Sequence, residues 1–335
     1  MSLSTILGIE SSCDDTAAAV LCNGKILANI TATQTVHAQY GGVVPELASR
    51  AHQSNIIPVI VMALEKAHIT MDELSAIAVT QGPGLMGSLL VGLNVAKGLC
   101  IAKDLPLIGV NHLQAHIAAL FIDRDIALPM LCLLVSGGHT QIVFVSTPLN
   151  TEIVGSTQDD AAGEAFDKAA KLMGLPYPGG PFIDNYAKNG NPLAFGFPDS
   201  QTKEFDFSFS GIKTSLLYFL HKRIAIDPLF LEAHLADVCA SYQRQIIVSL
   251  MKRFEKAIQH FKPASIGLTG GVSANSELRQ TFLTLGKKYA IPALIPEFEF
   301  CTDNAAMVAM AGYHQYLNGD YTSLSALPYS RVKQP

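Results

Sequence analysis

The chain has 335 residues, 49% of them hydrophobic and 15% charged, which excludes a disordered or low-complexity chain and leaves apolar material for two packed cores. A net charge of −5 excludes the broadly basic surface that gives a free-standing nucleic-acid binder most of its affinity, so any RNA contact must come from a local patch or a partner. Residues 5–10 and 16–22 read as two strands around the turn SSCDD, with a third strand over 25–30. A helix is expected over 45–66, opening at Pro45 and Glu46, then a short apolar strand over 75–80. A Gly-Pro-Gly turn leads to a helix over about 86–103, a strand over 106–110, and a helix beginning near His112. Strands alternating with helices of this length indicate an α/β sheet layer.

The pattern then restarts. Residues 130–135 and 140–146 are two strands around the turn SGGH, and LGIESSCDDTAAAVL and LCLLVSGGHTQIVFV share one layout of apolar strand, small polar turn and second apolar strand. Helices are expected near 159–173, 181–189, 228–260 and 275–288. A strand over 264–268 ends in the turn TGGVSAN, and a last helix starts near Asp303. This reads as an internal duplication of a hairpin-led α/β unit, although two common hairpins also produce such a likeness. The expected lobes are 1–125 with about 305–335, and 126–304. The six cysteines, Cys13, Cys22, Cys100, Cys132, Cys239 and Cys301, form no C-x-x-C pair and fit a reducing compartment. MSLSTILGIE lacks the marks of a signal or transit peptide, and no apolar stretch reaches the roughly 20 residues that cross a bilayer. A cytoplasmic protein with no membrane contact is expected.

Three turns carry the chemistry. Ser11 to Thr16 places short polar side chains and free backbone N–H groups between two strands, which suits a phosphate or a metal and equally a solvated hairpin. Ser136-Gly137-Gly138-His139-Thr140 follows a buried strand, and its glycines let a ligand approach the backbone. Thr269 to Asn275 follows a strand and opens a helix, whose amides favour an anion or a sugar hydroxyl. Two hairpin turns, one per lobe, plus a later Gly-Gly turn at a helix start describe the nucleotide cleft of the actin/Hsp70/sugar-kinase group.

His112 and His116 share one helix face, four residues apart, close enough to hold one ion. No Glu stands beside His112, so this is not the H-E-x-x-H of a zinc protease. Asp303 is the best further ligand, and it also fits an N-cap for the helix that follows. Asp159 and Asp160 fit the dipole of a helix start. Asp167 lies deeper in that helix, where it suits ribose hydroxyls, and Asp184 lies one turn into the helix after Tyr177-Pro178-Gly179-Gly180. Phe205 to Gly211 alternates aromatic and polar residues like an edge strand.

GIESSCDDT, HAQYGGVVPELASR, GPGLMGSLLVG, NHLQAH, LLVSGGHTQ, DDAAGEAFDKAAKLMGLPYPGG, FDFSFSGIKT, GGVSAN and CTDNAAM together resemble the TsaD family, once described as glycoprotein endopeptidases, over residues 5–315. The resemblance implies an α/β, two-lobed actin/Hsp70/sugar-kinase fold, with duplicated RNase H-like units and a nucleotide cleft between lobes. It implies an acyltransferase that moves threonylcarbamoyl from threonylcarbamoyl-AMP to the exocyclic amine of the adenosine 3′ of the anticodon, in tRNAs reading ANN codons. By the resemblance, His112, His116 and Asp303 hold a metal, one iron(II) ion per subunit, with zinc or magnesium as alternatives. Leu134, Val135, Ser136, Gly137, Gly138, Asp167, Gly180, Asp184 and Asn275 bind the adenylate, and Asp14 and Asp15 line the reaction centre. Members often carry Glu where this chain has Asp15. The implied partners are tRNA and the TsaB and TsaE proteins. A kinase of the same fold would have no need of the His pair, a metalloprotease would need the missing Glu, and a degenerate binding subunit would lack the second-lobe motifs.

Overall fold

A computed structural model describes residues 4–331. In chain order it contains β1 (Thr5–Glu10), β2 (Asp15–Cys22), β3 (Lys25–Thr33), α1 (Pro45–Ala67), β4 (Ala76–Gly82), α2 (Met86–Lys103), β5 (Leu107–Asn111) and α3 (His112–Ala118). There follow β6 (Met130–Val135), β7 (Thr140–Thr147), β8 (Asn150–Ser156), α4 (Ala162–Leu172), α5 (Gly179–Ala187), α6 (Ser210–Ile226) and α7 (Phe230–Phe261). The chain closes with β9 (Ser265–Thr269), α8 (Ser276–Tyr289), β10 (Ala293–Leu294) and α9 (Ala305–Asn318).

These elements form two compact units, Met1–Ile126 with Pro296–Pro335, and Ala127–Ile295. The chain thus returns to the first unit at Pro296, not near 305. The reason is local: Arg124 pairs with Glu297, the Cys301 thiol points to the carbonyls of Pro296 and Glu297, and Phe300 packs on the first unit's core. Asp303, expected in the second lobe, therefore belongs to the first.

In the first unit the sheet order is β3-β2-β1-β4-β5, with β1 antiparallel to β2, β2 antiparallel to β3, and β1, β4 and β5 mutually parallel. TILGIE is buried along its whole length, as a strand covered on both faces must be. Leu7, Ile9, Ala18 and Val20 meet α1 and α2 on one face, while Ile6, Ala17, Ala19 and Leu21 meet α9 on the other. The α9 side is built from small residues. A Cβ on Gly8 would lie 2.5 Å from the Ala305 carbonyl oxygen and 2.7 Å from the Ala309 nitrogen, so only glycine lets this helix lie so close on β1. That close approach carries the segment just before α9, including Asp303, to the carboxyl ends of the parallel strands. Beyond α9 the chain runs back along the sheet. Thr322 N–H donates to the Leu107 carbonyl, Tyr329 N–H to the Gln81 carbonyl, and the Asn111 amide to the Tyr329 hydroxyl.

The second unit repeats the order: β8-β7-β6-β9-β10, with β6–β7 and β7–β8 antiparallel and β6–β9 and β9–β10 parallel. The duplication read from the two hairpins thus extends to the whole sheet. One core joins Leu131, Leu133, Val135 and Ile142 to α4, α6, α7 and α8. Two expectations shift here. The segment expected as an edge strand makes only one bridge, Thr157 to Phe207, and from Ser210 it is helix. Asp159 does not serve α4, which starts at Ala162. It accepts from the backbone N–H groups of Phe209 and Ser210 and from both serine hydroxyls, fixing the start of α6.

The expectation about membrane-length stretches also changes. α2 has 18 residues at a mean hydropathy of 1.3, the length and composition of a span. Here it is a covering helix, with Leu89, Leu93, Ala96 and Cys100 buried on the sheet side.

Candidate functional site

In the first unit, the carboxyl ends of β1, β4 and β5 gather a polar cluster, the place where open α/β sheets bind ligands. β5 ends at Asn111, whose side-chain oxygen accepts from the N–H groups of Leu113 and Gln114 and so caps α3. His112 and His116 lie one turn apart on that helix, with ring centroids 4.8 Å apart. Asp303 Oδ1 lies 3.5 Å from His112 Nε2 and 3.3 Å from His116 Nε2. The three candidate ligand atoms fall within 4.8 Å of one another. The capping alternative for Asp303 does not hold, because α9 is capped by Asn304, which accepts from Met307 N–H. Asp303 is left to face the imidazoles.

Two imidazoles and one carboxylate, converging and largely buried, fit a divalent ion of the zinc or non-haem iron type. Burial disfavours a charged His112, but the Asp303 and Glu10 carboxylates outweigh it and push its pKa up to about 9. An ion seated there would displace that proton. Behind His112 stands Glu10, fully buried, with Oε2 3.2 Å from His112 Nδ1. Ser12 Oγ is also 3.2 Å from Nδ1, and the Thr80 hydroxyl donates to Glu10. Glu10 and Thr80 are not among the residues expected at the site, and Ser12 is expected only as part of the Ser11–Thr16 turn. The available signal was a lone carboxylate closing the otherwise apolar strand TILGIE.

The turn bearing Asp14 and Asp15 is held from behind. The buried His52 on α1 bridges it, with Nδ1 2.8 Å from Thr16 Oγ1 and Nε2 3.0 Å from the Cys13 carbonyl oxygen. From α2, the Ser88 hydroxyl donates to the same carbonyl, and the Ser11 hydroxyl donates to the Ser88 carbonyl. Leu85 N–H donates to the Ser12 carbonyl, and a Cβ on Gly84 would sit 2.5 Å from that oxygen. This is what the GPGLMGS segment provides: close approach of α2 to the turn. Burial lowers the His52 pKa, which keeps the ring neutral. Its Nε2 is the donor, since a carbonyl only accepts. Burial, supported by Asp303, Asp14 and Glu10, pushes Asp15 up to about 7 against a hydrogen bond from Thr33. Burial and Asp14 drive the Cys13 thiol far upward, so it is no thiolate nucleophile.

In the second unit, the turn after β6 is closed by Ser136 N–H donating to the His139 carbonyl and His139 N–H donating to Ser136 Oγ. Leu134 and Val135 end the buried strand, and Gly137 and Gly138 face open space. Gly163 N–H, at the start of α4, donates to the Ser136 carbonyl. Gly270 takes φ +91°, and a Cβ there would strike the Val135 carbonyl oxygen at 2.5 Å, which brings the third turn against the second. Asp167 accepts from Gly179 N–H at 2.7 Å, fixing the entry to α5 beside Gly180. Burial raises its pKa, opposed by the N–H groups of Gly179 and Gly180. Asp184 accepts from the N–H and hydroxyl of Ser276. Asn275 caps α8 through Leu278 N–H and donates to Gln243. The predicted adenylate residues thus form one connected set. Asp167, Asp184 and Asn275 each also hold a helix start in place.

The family model described as "TsaD: tRNA N6-adenosine threonylcarbamoyltransferase" matches residues 25–310. A protein of that name from Christiangramia forsetii is 55% identical over 332 residues, covering 98% of both chains. One from Porphyromonas gingivalis is 52% identical over 333 residues, again 98% of both. One from Clostridium botulinum is 50% identical over 324 residues, 95% of this chain and 94% of its own. Among solved structures, full-length HypF aligns with a TM-score of 0.64 at 10% identity, over 95% of this chain and 47% of its own. Component A of the Acidaminococcus fermentans (R)-2-hydroxyglutaryl-CoA dehydratase aligns with a TM-score of 0.55 at 14% identity, over 95% of this chain and 100% of its own. These structural likenesses show the actin-like, sugar-kinase type of fold.

Proposed function

The chain belongs to the TsaD family of tRNA N6-adenosine threonylcarbamoyltransferases, and from that premise we propose that it transfers threonylcarbamoyl to tRNA and that His112, His116 and Asp303 would hold a divalent ion beside the reaction centre. The enzyme is an acyltransferase acting on the exocyclic amine of a tRNA adenosine. The donor is threonylcarbamoyl-AMP, a mixed anhydride that needs no covalent enzyme intermediate. The amine nitrogen bonds to the carbamoyl carbon, the bond from that carbon to the phosphate oxygen breaks, and AMP leaves with the electron pair. The acceptor is the adenosine 3′ of the anticodon in tRNAs reading ANN codons. Most of the task is therefore positioning. When bound, the ion, iron(II) or zinc by its ligand type, supplies Lewis acidity toward the donor.

The chain's own residues supply the rest. Leu134 through Gly138, Asp167, Gly180, Asp184 and Asn275 take the AMP portion, supported by their linked hydrogen bonds around two glycine turns. Asp15 takes the amine proton, because a carboxylate pushed up to about 7 is matched to base work near neutral pH. Asp14, beside it, lines the reaction centre. An exposed apolar stretch on α1 and α2, with Ile57, Val61, Met62 and Leu90 at its surface, supports docking of a TsaB partner there. TsaE completes the set of partner proteins. Free cysteines support a cytoplasmic location.

The observation that carries this reading is the convergence of two imidazoles and a carboxylate in a chain of this family. The test is nucleoside analysis of tRNA incubated with the protein, its partners, threonine, bicarbonate and ATP, alongside metal analysis. The His112→Ala, His116→Ala double variant is expected to lose ion and modification together. Full modification by that variant would overturn the reading.

A further inference from the structure

Glu10 makes no contact with the nitrogens that face Asp303, yet it is 0% exposed at the end of β1. Taking a carboxylate out of water is costly unless donors satisfy its oxygens. Three do so. Ser12 N–H lies 2.5 Å from Oε1, the Thr80 hydroxyl 2.7 Å from Oε2, and His112 Nδ1 3.2 Å from the same Oε2. A carboxylate oxygen only accepts, so the last contact is a hydrogen bond when Nδ1 carries the hydrogen. Ser12 Oγ, equally near Nδ1, donates or accepts and cannot by itself fix the ring. With the hydrogen on Nδ1 held by Glu10, the nitrogen left to give up its proton to an ion is Nε2, the atom 3.5 Å from Asp303.

We propose that Glu10 is a positioning residue for the ion centre: it holds the hydrogen on His112 Nδ1 and fixes the ring plane, so that Nε2 is the nitrogen turned toward a divalent ion. This rests on the ion reading above. The arrangement makes Glu10 a partner of the ligand and not a ligand, the role in which an outer carboxylate orients a metal-bound imidazole and raises its basicity. Gln at position 10 has nearly the same shape, but its amide nitrogen cannot accept, so at least one of the three donors loses its partner.

Two measurements test this. Histidine-selective 15N NMR of the wild-type protein titrated with 113Cd2+ is expected to show coupling at His112 Nε2 with Nδ1 still protonated. Coupling at Nδ1 would overturn the proposal without any variant having to fold. In competition with a chromogenic chelator, Glu10→Gln is expected to bind Zn2+ about 10- to 100-fold more weakly than wild type. Adding Glu10→Gln to His112→Ala is expected to weaken binding no further than about two-fold, because Glu10 acts only through that ring. Adding it to His116→Ala should weaken binding by the full factor. Wild-type affinity in Glu10→Gln, or a full further loss in the His112→Ala background, overturns the inference alone. A wild-type protein that binds neither Zn2+ nor Cd2+ removes the ion reading and this inference with it.

Discussion

The first and second units share one sheet order, strand for strand, and put their polar turns at the same place, the carboxyl ends of the parallel strands. What they place there differs. The first unit gathers Glu10, Asp14, Asp15, His112, His116 and Asp303. The second gathers backbone N–H groups and glycines, with its carboxylates turned to helix starts. A duplicated scaffold thus fixes where chemistry occurs, and a few side chains decide which chemistry it is. Charge and imidazole in one copy suit an ion and proton transfer, and bare backbone in the other suits a phosphate and a sugar.

The sharpest way to break that division is to remove the proposed ion ligands of the first unit. Asp303→Ala or His116→Ala should bind the ion much more weakly and lose at least about 100-fold in transfer rate, the scale of losing one preorganised electrostatic group. AMP binding, read by equilibrium dialysis, should stay at the wild-type level. A parallel loss of AMP binding would show that the two copies are not chemically separate.

Next in size is His52. His52→Leu removes both contacts that brace the Cys13–Thr16 turn and should lower kcat about ten-fold with ion content unchanged, since small misplacements of reacting groups are costly. His52→Gln, which restores a donor to the Cys13 carbonyl, should recover most of it. Equal defects in the two variants would count against the bracing role.

The third concerns pH. Asp15, pushed up to about 7 from the ordinary carboxylate value of 3.8, contributes stability that is fully present below about pH 4 and is lost as pH rises through 7. In metal-free protein, Asp15→Asn should therefore gain on the order of 1–2 kcal/mol over wild type at pH 8 and nothing near pH 4. Thermal melts at the two pH values measure it. Asp167 in the second unit, raised by burial but opposed by two N–H donors, should give a smaller gain on the same substitution.

The smallest effects are the caps. Asn304→Ala and Asn275→Ala should each cost about 1 kcal/mol in a denaturant melt. Only Asn275→Ala should also weaken AMP binding. An unchanged AMP affinity would reduce Asn275 to a cap.

Much of this was legible in the sequence. Continuous apolar runs such as TILGIE and MLCLLV gave the buried strands, Pro45 gave the start of α1, and the four-residue spacing of His112 and His116 gave the pair. Two kinds of information were not legible. The start of α6 was hidden because its anchor, Asp159, lies some fifty residues upstream and looks like a cap for the nearer helix. Asp303's unit was hidden because small residues in β1 and α9, not any charge pattern, bring it home. Glu10 and His52 were invisible as site residues for the same reason. Their meaning lies in contacts 102 and 39 positions away.

The segment after α9 has a consequence for anyone trimming the gene. Through its hydroxyl, Tyr329 holds the very asparagine that caps the histidine helix, and its backbone is tied to Gln81. A clone cut back to Gly319 would keep His112, His116, Asp303 and the whole sheet, yet would slacken the helix bearing both imidazoles. Such a shortened protein should purify well and hold the proposed ion poorly, an outcome easily mistaken for a fault of preparation.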